Sequence, residues 1–216
     1  MSLLVNTIGS TTEAGSQGTG GRLLVLIHGY GADENDLAPL ARLYDPAGDF
    51  HVICPRGPFD VPPWGAGWYE RSAAGELDEA SFVRSVDLLD AAIDEACAQR
   101  DLRRSEAVVV GFSQGGAMAL AVSLRAGEAE PPAAVVCMSG MLQEPAGMPY
   151  AWDRTAPPAI YVQHGTEDPM VPIERGHHTR DRLTEVGFVH RYDEYPMQHE
   201  IRPESILDLR EWLAGV

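Results

Sequence analysis

Leu23 to Ile27 is an unbroken apolar run, and Val108 to Val110, Ala133 to Met138 and Ile160 to Val162 repeat the pattern. His51 to Cys54 is a shorter version, and Val189 to Tyr195 reads as a late strand. Apolar runs that do not alternate with polar residues fit strands covered on both faces, as in a parallel sheet. The Leu3 to Ile8 segment is expected to pair with Leu23 to Ile27 as an antiparallel edge, with Gly15 to Gly21 as the loop between them.

Between the runs the period changes to that of a helix. Phe82, Val86, Leu89, Ile93 and Cys97 form one apolar stripe in Ser81 to Arg100. Gln114 to Arg125 is an Ala-rich helix closed by Gly127, and Glu174 to Val186 is a third, followed by Gly187. Pro203 to Leu213 is a fourth, with proline in its first turn. Strand alternating with helix predicts an α/β domain. The proline-rich stretches Pro55 to Pro63 and Glu144 to Pro158 read as loops. The chain has 216 residues, enough to bury a core without disulfide or metal, so residues 1–216 are read as one domain.

Charge narrows the chemistry. There are 16 basic and 32 acidic residues, a net of −16, and every basic residue is arginine. The absence of lysine excludes a Schiff-base lysine and a phosphate-loop lysine. A strongly negative field disfavours nucleic acid and anionic lipid surfaces, and it favours neutral or cationic small molecules. Cys54, Cys97 and Cys137 sit in apolar stretches without metal-type spacing, so buried free thiols are expected. Met1 to Ser10 carries no basic residue and resembles neither a signal peptide nor a span, so the reading is cytoplasmic.

One motif carries chemistry. Gly111-Phe112-Ser113-Gln114-Gly115 is a G-x-S-x-G sequence between a Val-rich strand and an Ala-rich helix. That is the strand–turn–helix setting of a nucleophile elbow. A serine hydroxyl needs a base, and in this topology an acid and then a histidine follow it along the chain. Asp168 lies on the loop after the Ile160 strand; its neighbour Glu167 is the alternative acid. Of the seven histidines, His199 alone follows that acid and lies on a predicted loop. Oxyanion donors are expected from the backbone N–H of Gln114 and of Tyr30, the latter in a Gly29-Tyr30-Gly31 turn after an early strand. His28 and Gly29 could equally do no more than shape that turn. Trp68, favoured over Trp64, and Met170 are the candidate pocket residues, with loop packing an equal alternative for the tryptophans.

The phrases LVLIHGYGADENDL, GFSQGGAMAL, HGTEDPMVP and YPMQHEI resemble the bacterial carboxylesterase branch of the phospholipase/carboxylesterase family, which includes the acyl-protein thioesterases. The resemblance runs from about Leu23 to the C-terminus. It implies an α/β-hydrolase fold without a lid domain, and a serine hydrolase acting on carboxylic esters or thioesters. It implies Ser113, Asp168 and His199 as the triad, Tyr30 and Gln114 at the oxyanion hole, and no metal or cofactor. Lysophospholipase and acyl-protein thioesterase are the alternative activities, and a non-catalytic scaffold is the alternative of another class. The expected assembly is a monomer or homodimer. Two positions depart from the family pattern: Gln198 stands where relatives usually carry glycine, and Tyr30 where many carry a smaller or aliphatic residue.

Overall fold

The computed structural model describes residues 2–8 and 21–216. The glycine-rich stretch read as a loop lies, Gly21 apart, outside them. The chain order is β1 (Val5–Ile8), β2 (Arg22–Ile27), α1 (Ala41–Tyr44), β3 (Phe50–Pro55), β4 (Phe59–Val61), β5 (Gly65–Gly67), α2 (Glu79–Ala98) and β6 (Ala107–Phe112), followed by α3 (Gln114–Leu124), β7 (Ala134–Met138), β8 (Ala159–Gly165), α4 (Ile173–Glu185), β9 (His190–Tyr195) and α5 (Pro203–Leu213). Seven strands form one sheet in the order β1-β3-β2-β6-β7-β8-β9, and all neighbours are parallel except β1 on β3.

The edge strand corrects one expectation. β1 pairs with β3, Val5 opposite Pro55 and Ile8 opposite Val52, and not with β2. β2 has both edges taken, by β3 and by β6, so the outer edge of β3 is where a first strand can add. The stretch read as loop from Pro55 to Pro63 also contains β4, which pairs with β5 in a small antiparallel hairpin. A three-residue strand between Pro58 and Pro62 is too short to show a period of two.

Alternation along each strand sends side chains into two layers. Leu23, Val25, Ile27, Val109 and Val135 pack against α2, α3 and α4; Leu24, Leu26, Val108, Val110 and Val136 pack against α1 and α5. The predicted α2 stripe lies in the first layer, with Phe82, Val86, Leu89, Ile93 and Cys97 all buried. Truncating one of them, such as Leu89→Ala, should cost about 2–5 kcal/mol. Asp78 caps α2 by accepting from the Ser81 N–H at 2.7 Å. Every residue of α3 is buried, so its sequence shows no polar face.

The topology itself marks a site. From β2 the chain steps to β3 on one side, then returns to β6 on the other. Such a reversal opens a crevice at the carboxyl ends of the two central strands. Ile27 is in register with Gly111 there, so the turn after β2 and the turn after β6 begin side by side. β8 and β9 deliver their carboxyl ends at the same sheet edge. No helix stands between β7 and β8 among the described residues.

Candidate active site

Ser113 occupies the turn between β6 and α3 with φ 55° and ψ −118°. A non-glycine residue held there stores about 1–3 kcal/mol of strain, which the surrounding packing must offset. The motif glycines explain how the turn closes. A Cβ on Gly111 would lie inside contact distance of the Gly115 carbonyl, and one on Gly115 would meet the Ile27 and His28 carbonyl oxygens. Gly29 brings the β2 turn against the serine, since a Cβ there would sit 3.3 Å from the Ser113 Cβ.

Three sequence-predicted residues converge. His199 Nδ1 lies 2.7 Å from Asp168 Oδ2, and His199 Nε2 lies 2.9 Å from Ser113 Oγ. A carboxylate only accepts, so the neutral imidazole carries its proton on Nδ1 and leaves Nε2 to accept from the serine hydroxyl. Asp168 Oδ1 accepts the backbone N–H groups of Met170 and Val171, each at 2.8 Å, which leaves Oδ2 for the histidine. The Asp168 carboxylate is buried against His199, while Glu167 is exposed. The Phe112 ring packs 4.9 Å from the His199 ring. Gln198 lies beside Gly165: a Cβ on that glycine would meet the Met197 and Gln198 carbonyls.

Tyr30 and Gln114 line the cleft that holds Ser113. Neither backbone N–H has an acceptor among the described residues, so both are free to donate. Their positions are fixed by the β4–β5 hairpin. Gly31 N–H donates to Ala66 O at 2.8 Å, and Ala66 N–H donates to Ala32 O at 2.7 Å. The Gln114 side chain completes the clamp. Its Oε1 accepts from Trp68 N–H at 2.6 Å and its Nε2 donates to Tyr69 O at 2.7 Å.

Two buried histidines brace these loops. Gly57 N–H donates to His28 Nε2 at 3.0 Å, so His28 carries its proton on Nδ1 and donates to Gly29 O at 2.7 Å. Burial holds its pKa below the usual histidine value, and it shapes the turn as a neutral ring. His164 Nε2 donates to Val171 O at 2.8 Å and lies 3.8 Å from Asp168 Oδ2; burial lowers its pKa too. Its role was hidden in the sequence, although its place four residues before Asp168 was in view.

The cleft has a volume of about 810 Å³. Tyr30 and Met170 stand at its mouth, 64% and 72% exposed, and Met141, Gln143 and Tyr69 lie along it. Met170, a candidate pocket residue of the sequence, lines this cleft. Trp68 does not: its indole is fully buried beneath the wall and donates to His28 O at 3.0 Å, while its neighbours Gly67 and Tyr69 line the cleft. An indole N–H aimed at a buried carbonyl explains the difference. Trp64 is exposed at the hairpin turn, away from this cleft.

The cysteines are free and buried. Among the described residues, no three of His, Cys, Asp and Glu converge to hold a metal ion, and no helix is long and apolar enough to cross a membrane.

A mostly parallel sheet flanked by helices, with a serine elbow on its central strand and loops gathered at its carboxyl edge, is the α/β-hydrolase fold. The model of the phospholipase/carboxylesterase family matches residues 14–216, and the chain belongs to that family. It is similar to acyl-protein thioesterase 1 of Mycosarcoma maydis, 29% identical with 89% of this chain and 90% of that protein covered. It is 33% identical to the putative hydrolase MhqD of Bacillus subtilis (strain 168), over 48% of this chain and 50% of that protein. Among solved structures, esterase PE8 superposes with a TM-score of 0.85 at 24% identity, covering all of both chains. The chain is therefore a hydrolase of the carboxylesterase and acyl-protein thioesterase kind.

Proposed function

We propose that the chain hydrolyses carboxylic esters or thioesters of small or acyl-chain substrates, with Ser113 as nucleophile, His199 as base and Asp168 as the acid that orients it. The observation that carries this reading is the pair of hydrogen bonds from His199, 2.7 Å to Asp168 and 2.9 Å to Ser113. Ser113 Oγ attacks the acyl carbonyl carbon as His199 Nε2 takes its proton. The Tyr30 and Gln114 N–H groups receive the oxyanion, and the positive end of α3 lies beneath it. His199 then protonates the departing alcohol or thiol. Water, deprotonated by the same imidazole, releases the acid and restores the serine. Asp168 stays ionised and stabilises the imidazolium formed in each half.

The cleft volume suits a single small ester or a short acyl arm. The Ser139 to Pro158 segment packs back on α3, with Ala151 N–H donating to Leu124 O at 3.0 Å, and contributes Met141 and Gln143 to the cleft lining. The reading takes residues 1–216 as one domain working in the cytoplasm as monomer or homodimer, on free small molecules and not on nucleic acid. Its test is a panel of oxyesters and thioesters of increasing acyl length, with Ser113→Ala as control. Turnover that falls to background in the variant supports the reading. Turnover of a lysophospholipid or an S-acylated peptide above every small ester would replace the substrate class, and equal turnover by Ser113→Ala would end it.

A further inference from the structure

The two walls of the cleft differ in charge. One is built from the β4–β5 hairpin and the Glu70 to Leu77 loop, and it carries Asp60, Glu70, Glu76 and Arg71. Arg71 is occupied there: it donates to Gly75 O at 2.8 Å and lies over the Tyr69 ring at 5.6 Å. The other wall is Met170, Val171, Pro172 and Arg175, the segment that follows Asp168. Its one charge is a cation.

Arg175 is exposed, and among the described residues its guanidinium has no hydrogen bond, ion pair or ring partner. Arg56, Arg104, Arg125 and Arg182 each hold a carboxylate. Arg42 and Arg210 share the lack of a partner among the described residues, but of the three Arg175 alone lines the cleft. Helix stability does not explain its place. Arg175 is the third residue of α4, in the first turn, where the helix dipole disfavours a cation. A guanidinium left unpaired against the local field, on the wall of the cleft that holds Ser113, is available for a ligand.

We infer that Arg175 is a specificity residue that reads an oxyanion, a carboxylate or phosphate, on the part of the substrate beyond the scissile ester. The inference rests on the esterase reading above and names a substrate class within it: esters with one anionic arm. Guanidinium suits the group because its planar fork matches both anions with two parallel hydrogen bonds. The net charge of −16 points the other way, toward neutral or cationic esters. The two act at different ranges. The summed field slows encounter and is screened beyond about 8 Å at physiological ionic strength, whereas a contact pair in a cleft is screened far less.

The experiment compares the nitrophenyl ester of a glutarate half-acid, the same ester with its far carboxylate capped as methyl ester, and a counterpart ending in phosphate. In the unaltered chain at least one anionic ester should have a KM about tenfold below that of the capped one. Arg175→Ala should erase that gap with kcat unchanged and the capped ester within twofold of its former kcat/KM. Arg175→Lys should keep part of the gap, and Arg175→Glu should invert it. The ester whose KM responds most tells carboxylate from phosphate. If Arg175→Ala moves charged and capped esters equally, moves neither, or if Arg71→Ala carries the loss instead, the inference is overturned. Hydrolysis of the capped ester without an Arg175-dependent gap sinks this inference alone; absence of turnover across the whole oxyester and thioester panel, these three included, sinks the esterase reading itself.

Discussion

The nucleophile side and the acid–base side of the cleft are held by different means. Around Ser113 the precision comes from backbone: Gly111 and Gly115 lie against neighbouring main chain, Gly29 lies against Ser113, and Ala66 of the hairpin donates its N–H to Ala32 O and accepts from Gly31 N–H. Around Asp168 and His199 it comes from side chains. One carboxylate takes two loop N–H groups on one oxygen and an imidazole on the other, with a second imidazole behind the loop. Backbone packing tolerates no added atom, whereas a side-chain bond can be removed while the fold survives. Changes on the first side should therefore appear as lost stability, and changes on the second as lost rate.

The largest expected effect on the acid–base side is Asp168→Asn, which keeps the shape but removes the charge that orients the Nδ1 proton. It should lower kcat about 10⁴-fold with a thermal midpoint near that of the unaltered chain. A small loss of rate with a large loss of stability would break the comparison. On the nucleophile side, Gly115→Ala should lower stability by about 3 kcal/mol or more, because the new Cβ meets backbone oxygens and not a flexible side chain. Denaturant unfolding reads this directly, and a variant of unchanged stability would show that the elbow can relax.

His164→Phe separates the two means more finely. It removes the bond to Val171 O, the loop residue whose N–H holds Asp168. A displacement of the acid of the order of 1 Å should lower kcat about 10- to 100-fold at constant KM. His164→Gln, which can still donate, should recover part of it. A kcat unchanged in a folded His164→Phe would reduce His164 to filling space.

The smallest effect is in pH. Burial lowers the pKa of His28 and of His164 from 6.5 in the folded chain. As pH falls below about 6.5 the unfolded chain binds these protons first, so stability is complete above that value and declines below it, until the folded groups titrate. Thermal midpoints measured over about pH 5 to 8 should fall on the acid side, and His164→Gln should flatten the slope. A midpoint independent of pH would contradict the neutral, buried state assigned to both rings.

The same difference explains what the sequence disclosed. The elbow was legible because its requirements are local: a strand, two glycines around a serine, a helix. Asp168 and His199 were legible only as chain order and loop position, with Glu167 still open, because burial decides between adjacent carboxylates and burial is a tertiary property. The Gln114 side chain was read for its N–H alone, since its clamp reaches the Trp68–Tyr69 backbone more than forty positions away. Trp68 misled for a related reason: an aromatic on a loop can face a cleft or support it, and the His28 carbonyl beneath it could not be foreseen. β1 was assigned to the wrong neighbour because strand pattern gives burial, not which edge is free.

On the reading proposed above, the His199 to Asp168 pair activates one serine, Ser113. A fluorophosphonate that labels activated serines, followed by intact mass and peptide mapping, tests it most directly. One adduct per chain is expected, located on Ser113 and formed at least about a thousandfold more slowly in His199→Ala. An adduct on another residue, or none in a chain that still hydrolyses esters, would contradict it.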